Sequence, residues 1–122
     1  MIIYFDSKTG NVDKFIQKIK MRTGWNCCKI EMNKTYSETG HLVTFTTKMG
    51  AVPDSTYNFM LTNHKLILSV TSSGNTNWGK NFGLAADKLA SEFSKPILMK
   101  FELSGLESDV NTFINKIFQY AD

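Results

Sequence analysis

The chain has 122 residues, the size of one domain that can build a single core without staples. Its hydrophobic share of 42% and charged share of 20% are those of an ordinary globular protein, and no apolar run approaches membrane-spanning length. A formal net charge of +3 is too mild to call for nucleic acid as a partner.

Apolar runs alternate with helical periodicity along the whole chain. Ile2-Ile3-Tyr4-Phe5 reads as a buried strand at the very start, so no signal peptide is visible. Val12, Phe15, Ile16 and Ile19 then fall at helical spacing, with Asn11 as the expected N-cap. Lys14 and Lys18 stand opposite that stripe and, with Lys20 and Arg22, read as a solvated helix face. Trp25 to Met32 alternates apolar Cys28, Ile30 and Met32 with Lys29 and Glu31, the pattern of a half-exposed edge strand. Its neighbours Cys27 and Cys28 point to opposite faces there, so a bridge between them would be strained. Two reduced thiols in a cytoplasmic protein are the expectation.

Leu42 to Thr46 is the third strand. Pro53 and Asp54 open a second helix with Tyr57, Met60 and Leu61 on one side. Leu66 to Val70 is the fourth strand. Phe82, Ala86, Leu89, Ala90 and Phe93 stripe a third helix. Ile97 to Leu103 is the fifth strand, opened by Pro96. Asp109 starts the body of the last helix, striped by Val110, Phe113, Ile114, Ile117 and Phe118. Phe15, Phe82, Phe93, Phe113 and Phe118 need no role beyond covering a sheet. The order βαββαβαβα predicts an α/β fold over residues 1–122, a parallel sheet with helices on both faces and strand order 2-1-3-4-5.

In such a sheet, ligands sit beyond the carboxyl ends of the strands, where the strand order reverses. Three loops meet there: Ser7–Val12, Thr46–Pro53 and Ser72–Gly79, all rich in Gly, Ser, Thr and Asn. In the first, Ser7 and Thr9 supply hydroxyls, Gly10 lets the backbone come close, and the helix beginning near Asn11 supplies free amides, a phosphate cradle. The third is bendable backbone, hydroxyls and amides around one flat aromatic, Trp78, the chemistry for stacking on a planar heterocycle. Met49 is placed to pack on the same ring. Gly74 to Asn81 nearly spells a nucleoside-triphosphate loop, but Asn81 stands where Ser or Thr must hold magnesium. No catalytic constellation is found. His41 and His64 are isolated and read as surface or satisfied residues, Asp6 lacks an acidic partner, and no metal spacing appears. A protein that borrows its reactivity from a cofactor is the reading these loops support.

Four strings carry a resemblance: Tyr4 to Val12, Thr46 to Pro53, Ser72 to Gly79, and Pro96 to Gly105. Together they resemble the NrdI family, flavodoxin-like proteins that serve class Ib ribonucleotide reductase. The resemblance implies a flavodoxin-like three-layer sandwich with non-covalently bound FMN. Ser7, Lys8, Thr9, Gly10, Asn11 and Val12 would hold the phosphate. Thr46, Thr47, Lys48, Met49 and Gly50 would lie along the reactive edge of the ring. Ser73, Gly74, Asn75, Asn77, Trp78 and Gly79 would close the other side. In that family the reduced flavin reacts with dioxygen, and the oxidant passes to the dimanganese subunit NrdF, where it allows assembly of the manganese–tyrosyl radical cofactor. A separate reducing partner is implied; a membrane or nucleic acid is not.

Lys48 and Lys80, expected in or beside the pocket, would favour an anionic reduced flavin and attract superoxide. Position 48 in the family is often Gly or Asn, which suit a peptide that flips on reduction. Met49 replaces a frequent aromatic, and Thr76 a frequent Arg. Neither loop loses a phosphate contact, so flavin binding is expected to survive. Two other readings stay open: a general electron-transfer flavodoxin-like protein with another partner, and a non-redox adaptor that has lost its flavin.

Overall fold

A computed structural model describes residues 1–47 and 50–120. The elements run β1 (Ile2–Phe5), α1 (Asn11–Thr23), β2 (Cys27–Lys29), β3 (Gly40–Phe45), α2 (Asp54–Asn63), β4 (Ile67–Gly74), α3 (Leu84–Phe93), β5 (Ile97–Glu102) and α4 (Glu107–Tyr120). All strands pair in parallel in a five-stranded sheet of order β2-β1-β3-β4-β5, as the sequence predicts.

Strand alternation sends side chains to opposite faces, and each face builds its own core. On one side Ile3, Phe5, Val43 and Phe101 pack with Phe15, Ile16 and Ile19 of α1 and Val110, Phe113 and Ile117 of α4. Phe15 is the centre, stacked on Phe101 at 3.9 Å and edge-on to Phe113 at 5.4 Å. On the other side Tyr4, Leu42, Ile67 and Val70 pack with Phe59 and Met60 of α2 and Ala86 and Leu89 of α3. Among the described residues no helix is long and apolar enough to cross a membrane.

Several boundaries differ from the sequence reading, each for a local reason. β2 is shorter than Trp25–Met32 because β1, its only neighbour, ends at Phe5. Ile30 still donates to Phe5 O at 2.9 Å, and Asn33, at φ 62°, then turns the chain away, leaving Met32 exposed. β4 runs on through Ser72 and Ser73 to Gly74, so these residues belong to the strand and not the loop. Their hydroxyls hide the strand from a hydropathy reading, yet Ser72 is fully buried, donating to Gly83 O at 2.7 Å and accepting from Ala86 N–H at 3.2 Å. α2 buries Thr56, Phe59 and Met60, while Tyr57 is half-buried and Leu61 is 53% exposed. The face is rotated because the Thr56 hydroxyl is drawn inward by Asp6 and Thr44. Phe82 precedes α3 rather than striping it. Phe118 is 55% exposed and covers Trp25 edge-on instead of the sheet.

Candidate functional site

The carboxyl ends of β1, β3, β4 and β5 open on one edge of the sheet, and the order reverses between β1 and β3. A cavity of about 400 Å³ lies there, a volume suited to a small-molecule ligand. Ser7, Lys8, Thr9, Asn11 and Val12 line it from the β1–α1 loop, Thr46 and Thr47 from the end of β3, and Ser73, Gly74, Asn75 and Trp78 from the end of β4. The three loops singled out from the sequence therefore share one cavity. Gly10, Gly50, Asn77 and Gly79 stand in the same loops without lining it. Lys48 and Met49 lie outside the described residues, as does the side chain of Lys80.

Two lining residues were not anticipated. Phe45, the last residue of β3, reads in sequence as one more core aromatic. Leu103 follows β5 and is 49% exposed. Its φ of 53° is rare for a bulky side chain, and a tight turn holds it, with Gly105 N–H on Glu102 O at 2.9 Å. An apolar residue directly before Ser-Gly at a strand's carboxyl end was the available signal.

The first loop is built as a cradle. Gly10, not Asn11, is the N-cap of α1, at φ 94° and with no side-chain cap bond. That conformation needs glycine, and no atom lies within 4 Å of where a Cβ would stand. Ser7 Oγ accepts from Asp13 N–H at 3.3 Å, which pins the loop to the first turn of the helix. The first amides of the helix lack intrahelical partners and carry the positive end of its dipole. Exposed Lys8 adds a cation at the rim.

The second loop is closed at its base. Thr47 and Ala51 exchange backbone bonds of 2.9 and 2.7 Å, and Gly50 N–H donates to Thr47 O at 3.1 Å. Gly50 takes φ 104°, and a Cβ there would stand 2.7 Å from Leu84 Cδ2. Among the described residues of this loop, the glycine-only conformation thus falls at position 50. Thr46 fixes the loop to its neighbours, donating N–H to Ser73 O at 3.0 Å and accepting from Ala85 N–H at 3.3 Å.

The third loop is a short 3-10 segment, Thr76–Asn81, broken at Gly79 by φ 57° and ψ −124°. Asn75 caps it: Oδ1 accepts from Asn77 N–H at 2.9 Å, and its carbonyl accepts from Trp78 N–H at 3.0 Å. Trp78 itself is half-exposed against the cavity.

A second hollow of about 510 Å³ shares Ser7, Lys8, Phe45 and Thr47 with the first and reaches Asp6 and Ser55. Asp6 is 6% exposed, and its Oδ2 accepts from Ser55 Oγ at 2.5 Å and Thr56 Oγ1 at 2.6 Å. These bonds tether the start of α2 to β1. Hollows of about 560 and 500 Å³ flank α2 away from the sheet edge. Size does not distinguish them; the cavity at the switch point is set apart by joining Trp78 and Phe45 to the start of α1 and to all three loops. Among the described residues no group of three or more His, Cys, Asp or Glu side chains is placed to hold a metal ion.

Of the remaining candidates, His41 and Cys27 are held in their uncharged forms by burial. His41 is buried rather than on the surface, and burial lowers its pKa to about 4, so it is neutral at pH 7. Burial pushes the Cys27 thiol up to about 11, far from a reactive thiolate. Cys27 and Cys28 are both free.

The family model described as NrdI flavodoxin-like matches residues 3–115. The chain belongs to that family. It is 43% identical over 115 residues to Protein NrdI of Bacillus licheniformis, covering 94% of this chain and 86% of that one. It is 36% identical over 113 residues to the SPbeta prophage-derived protein NrdI of Bacillus subtilis, covering 93% and 88%. Protein NrdI of Macrococcus caseolyticus is 37% identical over 122 residues, covering 100% and 92%. The crystal structure of a WrbA-like flavodoxin from Agrobacterium tumefaciens superposes with a TM-score of 0.55, covering 96% of this chain and 90% of that one. At 13% identity that likeness establishes the flavodoxin-like fold alone. Fold and family together imply a flavin.

Proposed function

We propose that this protein is an FMN-binding redox activator of a class Ib ribonucleotide reductase, one flavodoxin-like domain over residues 1–122 working in the cytoplasm. The observation that carries the reading is the shared cavity, with a helix N-terminus on one side and Phe45, Trp78 and Leu103 as apolar wall. The residues fit the two ends of FMN. Ser7, Thr9, Asn11 and the first amides of α1 suit a phosphate dianion, with Lys8 adding charge. Trp78 suits the ring, and Thr46, Thr47, Ser73, Gly74 and Asn75 would offer polar groups at its edges.

Bound FMN would supply the electrons that convert dioxygen to superoxide or hydroperoxide, the oxidant for the dimanganese subunit NrdF. The chain's own part is to bind, orient and shield. Phe45, Trp78 and Leu103 would shield a bound ring from bulk water, and the hydrogen-bonded loops would hold it in place. Lys8 holds a positive charge at the rim whatever the redox state, which favours anions over neutral ligands. No acid or base of the chain is needed to complete this role.

The test is an absorbance titration of the purified protein with FMN, then dithionite, then air. Flavin bands that shift on binding, bleach on reduction and return in air, followed by a stable complex with NrdF, are the expected results. Failure to bind FMN under any condition overturns the redox reading. Binding without an NrdF complex favours a general electron carrier.

A further inference from the structure

We propose that Glu102 is a positioning residue for the site: its carboxylate clamps the Asn75–Gly79 turn and so sets where Trp78 stands. The inference rests on the flavin reading for its consequence, but the clamp is a property of the protein without ligand.

Gly74 and Glu102 are register partners at the ends of β4 and β5, so the sheet brings the carboxylate beside the start of the third loop. Oε2 of Glu102 accepts the Thr76 N–H at 3.1 Å and also the Thr76 hydroxyl. The next residue, Leu103, donates its N–H to Gly74 O at 2.9 Å. Both neighbours of Asn75 are thus tied to the end of β5. Asn75 in turn accepts the Trp78 N–H at 3.0 Å through its carbonyl. The line of restraint runs from β5 through Thr76 and Asn75 to the Trp78 main chain, from which the indole projects.

Nothing apolar does this work instead. Thr76, Asn77 and Gly79 are exposed, so the turn has little buried surface to hold it. A charge-assisted acceptor that receives two donors from one residue restrains the turn directly. The two Thr76 bonds also hold the Glu102 carboxyl below its ordinary range, which keeps the acceptor ionised. The short Thr76 hydroxyl makes the second of these bonds to Glu102.

The experiment is a double-mutant cycle read by FMN titration and by amide hydrogen exchange. Glu102→Ala is expected to weaken FMN binding about fivefold to tenfold in the natural background, the scale of one charge-assisted hydrogen bond near the surface. In a Trp78→Ala background the same change is expected to cost less than about twofold, because the platform it positions is gone. Glu102→Gln, which keeps an acceptor, recovers part of the loss. Exchange at residues 75–79 of the ligand-free protein rises in Glu102→Ala while far-UV circular dichroism is unchanged. Thr76→Val removes only the hydroxyl bond and gives a smaller effect of the same kind should Glu102→Ala fold poorly. Equal losses in both backgrounds, or unchanged exchange at 75–79, overturn the proposal. If the natural protein binds no FMN, the flavin reading fails, and the exchange result alone decides whether the clamp exists.

Discussion

Trp78 was legible as a site residue because a large aromatic in a run of Gly, Ser, Thr and Asn has no core to serve. Removing it tests that reading. Trp78→Ala is expected to weaken FMN binding about tenfold, from lost stacking and lost apolar contact. Its midpoint of thermal unfolding should stay within a few degrees, since the side chain is half-exposed. His41 was not legible. Its Nδ1 lies 2.6 Å from Ser69 Oγ on the neighbouring strand, Tyr120 of α4 covers the ring edge-on, and Nε2 has no partner among the described residues. Those neighbours come from distant parts of the chain, so nothing beside His41 in sequence announces its burial. Burial, with a smaller effect from the Met1 ammonium, lowers the folded-state pKa to about 4 from an ordinary 6.5. Below pH 6.5 the unfolded chain therefore takes up a proton that the folded protein refuses until about pH 4. Stability is expected to fall across that window by about 3 kcal/mol and then level off for this group. Urea unfolding of the natural protein and His41→Asn at pH 7 and pH 4 reads the difference. Parallel pH slopes in the two proteins would refute the assignment.

Among the elements, the long apolar stretches and helical stripes of α1 and α4 were readable, and Val12, Phe15, Ile16, Ile19, Val110, Phe113 and Ile117 are all buried. Two of the misread elements, α2 and β4, bury polar side chains. Thr56 on α2 and Ser72 on β4 go inside because hydrogen-bond partners wait for them, and periodicity counts only apolar residues. β3 hides another constraint at Gly40. A Cβ there would stand 2.1 Å from Ile2 O, inside the β1–β3 pairing. Gly40→Ala must part the strands or shift their register, and is expected to destabilise the protein by about 3 kcal/mol. A lower urea midpoint at unchanged slope checks it. A neutral result would mean that the end of β1 gives way freely.

At the scale of the molecule, a core on each face fixes the helices against the sheet, and the loops at its carboxyl edge share one cavity. Phe15 joins α1, α4 and β5 through its one ring, so Phe15→Ala should cost about 3–5 kcal/mol, measured by denaturant unfolding. If FMN binds the folded fraction of that variant with unchanged affinity, the core and the site are separable. The alternation of strands and helices, the strand order and the three loops that meet at one cavity follow from the chain alone, because hydrophobic period and Gly/Ser/Asn punctuation are local signals. Tertiary structure alone decided the rest. Phe45 and Leu103 became cavity wall, Asp6 found its hydroxyl partners on α2, and Glu102 met Thr76, because pairing in the sheet joins residues that no local pattern relates.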